Sequence, residues 1–197
     1  MRRVRTHTNP LNIIHRFKDV KLPQNQDLDI EIGFGKGDFL MNWAKNNPDH
    51  YVVGIEVRKQ MVVLLEEDLK KNTLNNIAIY HGNGQVFLED VPLDNSIDRL
   101  FIFHPDPWFK SKHHKRRVIT PAFLTLAHQK LKCNGKLYIS TDVKLLFDDI
   151  TDLLKSMPAF EPIHDSFWET AYQTHWSKFS KKDNRDSFVQ TYIKNKQ

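Results

Sequence analysis

Between Phe101 and Thr120 the chain reads FIFHPDPWFKSKHHKRRVIT, and two kinds of chemistry are packed into that stretch. Asp106 lies between Pro105 and Pro107. Each proline fixes its own φ and pushes the residue before it toward extended backbone. His104 and Asp106 are therefore expected to be extended, with the carboxylate held at a set position. Trp108 follows as a flat apolar wall. Lys110, Lys112, Lys115, Arg116 and Arg117, interleaved with His113 and His114, then form a cationic block suited to phosphates. The paired histidines lack Cys or carboxylate partners at ligand spacing, so no metal site is expected.

A second constellation is DIEIGFGKGDFL, in which Gly33, Gly35 and Gly37 alternate at the end of an apolar run. Glycines there allow a tight turn and the close approach of a ligand. A dinucleotide fingerprint would space them G-x-G-x-x-G, with a pyrophosphate on the following helix N-terminus. Here Glu31 precedes the loop and Asp38 follows it. These acids would repel a pyrophosphate and suit a ligand carrying an ammonium and a sulfonium, as S-adenosylmethionine does. Glu56 ends the run GIE 23 residues after Gly33, where a carboxylate can accept both hydroxyls of a ribose. Asn83 follows the next apolar run and could face an adenine edge.

The elements needed to hold these residues follow from periodicity. Strands are expected at LDIEIGF (28–34), YVVGIEV (51–57), NIAIYHG (76–82), IDRLFIF (97–103), GKLYISTD (135–142) and, closing the chain, DSFVQTYIK (186–194). Helices are expected at 37–47, 58–72, 121–131 and 143–157, with a short one around Leu11–Phe17. Strands separated by helices imply an α/β, doubly wound, mostly parallel sheet whose ligands sit at the carboxyl ends of the strands. Residues 1–26 read as a basic arm carrying Arg2, Arg3 and Arg5, and 27–197 as one catalytic domain. The tail adds Lys178, Lys181, Lys182 and Arg185.

Composition narrows the classes. The chain has 197 residues, 40% apolar, with a formal charge of +5, which fits one folded domain and a phosphate-rich partner. One cysteine, Cys133, permits no internal disulfide and reads as a turn residue before Asn134-Gly135. The N-terminus lacks the apolar stretch of a signal peptide, and no run is long enough to span a bilayer. A cytoplasmic protein is expected.

At this point the chain resembles the bacterial tRNA (guanine-N7-)-methyltransferases. The resemblance runs from about Leu28 to Asp142 and rests on EIGFGKG, GIEV, PDPWFKSKHHKRR and STDV, with RTHTNPL as a weaker echo. It implies a class I methyltransferase fold with seven strands, the last antiparallel. It also implies methyl transfer from S-adenosylmethionine to guanine N7 at position 46 of the tRNA variable loop. Glu31, Glu56, Asn83 and Asp106 would be cofactor-side positions, Lys110 and Asp142 substrate-side ones, and Asp106 also the catalytic residue. Trp108, Arg116 and Arg117 join the substrate side on their chemistry. A monomer or homodimer is expected. Departures are Asn83, where many members carry Asp, and Ser177-Lys178-Phe179-Ser180, where the tail motif loses its glutamate. Two other readings stay open: a nucleic-acid amino-methyltransferase, and a catalytically weakened RNA-binding paralogue.

Overall fold

Six-residue β1 (Asp27–Ile32) is buried at every position after the first, the pattern of a strand covered on both faces. The computed structural model describes residues 8–175 and 186–195. After β1 come α1 (Asp38–Asn46), β2 (His50–Glu56), α2 (Lys59–Lys70), β3 (Ile77–His81), α3 (Gly84–Asp90) and β4 (Ile97–Phe103). The chain continues through α4 (Pro121–Lys130), β5 (Leu131–Thr141), α5 (Lys144–Lys155), β6 (Phe160–Ile163), α6 (Phe167–Thr170) and β7 (Phe188–Lys194). Single 3-10 segments cover Pro10–Asn12 and Ser111–Arg116.

The strands form one seven-stranded sheet in the order β3-β2-β1-β4-β5-β7-β6. Pairing is parallel from β3 across to β5, while β7 runs antiparallel between β5 and β6. This is the sheet that the resemblance implies. Strand order reverses between β1 and β4, so the loops leaving those two strands flank the crevice where such sheets bind ligands.

Alternation along β4 builds two different layers. Leu100 and Ile102 join an aliphatic core with Phe87, Leu88, Phe123, Leu124 and Ile150. Phe101 and Phe103 turn the other way into an aromatic cluster with Phe39, Tyr138 and Phe167. The Phe101 ring lies 4.9 Å from both Phe39 and Tyr138, which holds the end of β4 on this face while Leu100 and Ile102 hold it on the other.

Several expectations shift. The helix expected over Leu11–Phe17 is only the Pro10–Asn12 turn. Beyond it Phe17 is buried, 5.1 Å from the Phe87 ring, and its N–H donates to Asp90 at 2.8 Å. Tertiary anchoring there replaces helical hydrogen bonding. β1 stops at Ile32, and β5 starts at Leu131, four residues before the expected Gly135. A register shift between Ile97 and Arg99, with Asn134 at φ 64, absorbs the extra residues. α3, β6 and α6 were not anticipated. Arg2, Arg3 and Arg5, and the tail residues Lys178, Lys181, Lys182, Arg185 and Ser177–Ser180, lie outside the described residues. Among the described residues no helix is long and apolar enough to cross a membrane, and no cluster of His, Cys, Asp and Glu could hold a metal ion.

Candidate active site

On the β1 side of the crevice the glycine loop turns through left-handed backbone, with φ of 83° at Gly33 and 80° at Gly37. Gly37 is also sterically required, because a Cβ there would stand 2.4 Å from the Leu65 side chain. The loop is fastened by two bonds: Gly33 N–H to the Ile55 carbonyl at 2.7 Å, and Gly35 N–H to Glu56 Oε2 at 2.9 Å.

Glu31 lies just before this loop with 3% of its surface exposed, and its Oε2 is buried without a hydrogen-bond partner. Burial, reinforced by the charges of Glu56 and Asp38, pushes its carboxyl up to about 8. An orphaned buried oxygen is costly unless something supplies a donor. With the charges of Asp38 and Glu56 near it, a cationic donor would answer that oxygen best.

Glu56 is buried as well but fully engaged. Oε1 accepts from the Arg58 backbone N–H at 2.9 Å and Nε at 3.0 Å, while Oε2 accepts from Gly35 and from Arg58 Nη2 at 3.1 Å. These bonds hold the Arg58 guanidinium firmly protonated, and the charge of Asp106 adds to the effect. β1 and β4 are parallel neighbours, with Ile32 opposite Ile102, so the glycine loop and the Asp106 loop leave adjacent strand ends. Asn83 caps α3, its Oδ1 accepting from Gln85 N–H at 2.9 Å, and its amide donates to the Pro10 carbonyl at 3.1 Å.

The β4 loop itself departs from expectation at one residue. His104 is not extended but left-handed, at φ 48°. Its N–H donates to the Ser140 carbonyl at 2.8 Å and its Nε2 lies 2.7 Å from the Tyr172 hydroxyl, contacts that outweigh the preference imposed by Pro105. Asp106 is half-buried. Asp142, at the end of β5, places Oδ1 3.7 Å from His104 Nδ1 with 8% of its side chain exposed.

Downstream the cationic block divides. Lys110, Lys112 and Lys115 are exposed. The Arg116 guanidinium instead stacks 5.0 Å over the Trp108 ring. Arg117 braces the loop, donating from Nε to the Pro107 carbonyl at 2.9 Å and from Nη1 to Asp149 at 2.8 Å. Trp108 is half-buried beneath Arg116, whereas Phe109 is 68% exposed.

Two residues in this site escaped the sequence reading. Arg58 had a local signal, a guanidinium two residues beyond the expected ribose acceptor. Tyr172 had none, since it meets His104 across 68 positions.

A seven-stranded sheet of this order, parallel through β5 with β7 reversed, is the class I methyltransferase fold, and the glycine loop and the Asp106 loop flank its switch point. The chain belongs to the family Methyltransf_4, described as "Putative methyltransferase", whose model matches residues 25–194. It is similar to the tRNA (guanine-N(7)-)-methyltransferase of Stutzerimonas stutzeri (strain A1501), with 37% identity over 131 residues, 66% of this chain and 55% of that one. The chain spans about half the length of the curated tRNA (guanine-N(7)-)-methyltransferases it matches. Among solved structures, the 16S rRNA methyltransferase KamB superposes with a TM-score of 0.62 at 14% identity, covering 88% of this chain and 90% of that one. SMU.1697c of Streptococcus mutans, solved in complex with SAH, superposes with a TM-score of 0.54 at 17% identity, covering 87% and 90%.

Proposed function

We propose that this chain transfers a methyl group from S-adenosylmethionine to N7 of the guanine at position 46 in the variable loop of tRNA. The observation that carries the reading is the switch point of the sheet, where the glycine loop with buried Glu31 and Glu56 and the Asp106 loop leave the adjacent ends of β1, β2 and β4. The names of the relatives matched at 37% identity supply the substrate. A tRNA substrate also sets the work in the cytoplasm.

When bound, S-adenosylmethionine supplies an electrophilic methyl group on a sulfonium centre. The residues present fit it. Glu31 and Asp38 answer an ammonium, and the orphaned Glu31 oxygen is ready for such a donor. Glu56 would take the ribose hydroxyls, and Asn83, just after β3, would stand on the adenine side. Guanine N7 has a lone pair and no proton to lose, so no general base is required. The chain must align the base and accommodate the positive charge that develops on the purine. Asp106, on its proline-braced loop, would do both as an orienting and electrostatic group.

N7 lies on an edge that side chains cannot read in the deep groove of A-form RNA, so the guanosine must leave its tertiary pairing. Phe109 offers the exposed ring for stacking. Lys110, Lys112 and Lys115 would hold flanking phosphates, with Arg116 and Arg117 bracing the loop behind them. Asp142 would bound the base pocket from the β5 side.

The test is methylation of unmodified tRNA transcripts with and without the variable-loop guanosine, followed by mass spectrometry of the nucleosides. One 7-methylguanosine per tRNA, lost with that guanosine, is expected. A methyl group on an exocyclic amine, or equal incorporation into both transcripts, overturns the reading.

A further inference from the structure

The residue entering the Asp106 loop is held in a conformation that its neighbour opposes. His104 precedes a proline, which favours extended backbone, yet it sits at φ 48°. Strain of this kind persists only where the surroundings over-determine it, and it concentrates at functional sites. Here the surroundings are specific. The Tyr172 hydroxyl lies 2.7 Å from His104 Nε2 and 2.7 Å from Ser140 Oγ, and it is also bonded by Thr174. The Tyr172 ring packs 5.1 Å from Phe103 and 5.0 Å from Trp168. A single hydroxyl thus ties the exit of β4, the end of β5 and the segment after α6. Asp106 lies two residues beyond His104, and Asp142 two beyond Ser140.

We propose that His104 and Tyr172 are positioning residues that set the Asp106 loop against Asp142, an inference that rests on the methyl-transfer reading of this site. Proton placement follows from the contacts. Burial pushes the Tyr172 hydroxyl up to about 12, so it stays protonated and can donate. With Ser140 and Thr174 assigned as the donors to its oxygen, its own proton goes to His104 Nε2. That bond leaves the proton of neutral His104 on Nδ1, which faces Asp142 Oδ1 at 3.7 Å. The imidazole is then fixed at Nε2, with Nδ1 turned toward the Asp142 carboxylate, and the turn after it presents Asp106 in one orientation. The Tyr172 hydroxyl holds the ring, so removing it frees the loop while the aromatic packing survives.

The experiment compares the wild-type chain with Tyr172→Phe, His104→Phe and His104→Gln, each checked for an unchanged thermal melt. Two readouts are taken: tRNA methylation with kcat separated from KM, and the nitrogen-15 spectrum of the histidines. Tyr172→Phe and His104→Phe should each lower kcat about tenfold. SAH affinity should stay within twofold, and His104→Gln, which keeps an acceptor for Tyr172, should recover most of the loss. The signal that vanishes in His104→Gln should show a bare Nε2 and a protonated Nδ1 in the wild type, and should shift in Tyr172→Phe. Full turnover in both phenylalanine variants, or SAH affinity falling in step with kcat, would overturn the proposal. So would a protonated Nε2. If the wild-type chain methylates no tRNA, the functional reading falls, while the tautomer still decides whether the network exists.

Discussion

Asp29 and Glu31 lie two residues apart on β1 and share one face of the sheet, at 0% and 3% exposure. Asp29 is saturated: Trp43 Nε1 donates to it at 2.7 Å, His50 Nδ1 lies 2.9 Å away and Arg99 Nη1 3.3 Å away. Glu31 keeps a buried oxygen without a partner and a carboxyl pushed up to about 8. The contrast teaches how one strand can carry a structural and a functional acid. At the amino end a buried carboxylate is paired and locks α1, β2 and β4 together. At the carboxyl end the same burial is left uncompensated, and the proposed function uses that deficit to bind a cation.

That contrast can be broken by substitution. Asp29→Asn should cost about 3 kcal/mol in urea unfolding, because Arg99 and His50 would be left facing a neutral group. Glu31→Gln should leave stability unchanged or slightly raised. Equal losses in the two variants would erase the distinction. On the functional side the largest effect is expected at Asp106→Asn, with methyl transfer slowed on the order of 10²-fold while SAH affinity holds. Glu31→Gln should weaken SAH binding by roughly 10- to 100-fold, the worth of a charge-assisted bond.

pH sharpens the comparison. A carboxyl whose folded value lies above its unfolded one binds more protons in the folded state, so its contribution to stability falls as pH rises. For Glu31 that window runs from 4.5 to about 8. His50, raised chiefly by its hydrogen bond to Asp29, contributes stability that is full below 6.5 and lost as pH climbs through its folded value. A decline between about pH 5 and pH 6.5 therefore belongs to Glu31 and should vanish in Glu31→Gln. Cofactor binding at neutral pH should release close to one proton. Calorimetry in two buffers of different ionisation heat measures it.

The smallest effect concerns the exposed lysines. Replacing Lys110, Lys112 and Lys115 by alanine should flatten the log–log salt dependence of tRNA binding by about 2 to 3, roughly one per lost phosphate contact. An unchanged slope would remove them from the RNA surface.

The glycine loop and the buried acids beside it were legible because their parts are local. Glycine spacing, the acids flanking it and Glu56 23 residues on are all read from short stretches. The acceptor side was legible only at its signature. Asp106 stands out between its prolines, but the left-handed turn at His104 depends on Tyr172, 68 residues away, which no periodicity announces. Asn83 could be read as an adenine contact, whereas its role as a helix cap and as the hook for Pro10 needs the arm in place. Arg116 and Arg117 looked like phosphate ligands in a charge run. Their contacts with Trp108 and Asp149, which also brace the loop, could not be read from the charge run.

The most direct test of the account uses two tRNA transcripts identical except at position 46, one with guanosine and one with 7-deazaguanosine, whose ring carries carbon in place of N7. In single turnover with labelled S-adenosylmethionine, the guanosine transcript should accept one methyl group and the deaza transcript none, while both bind with the same affinity. Methylation of the deaza transcript would place the chemistry on another atom and contradict the assignment of Asp106 to a purine charged at N7.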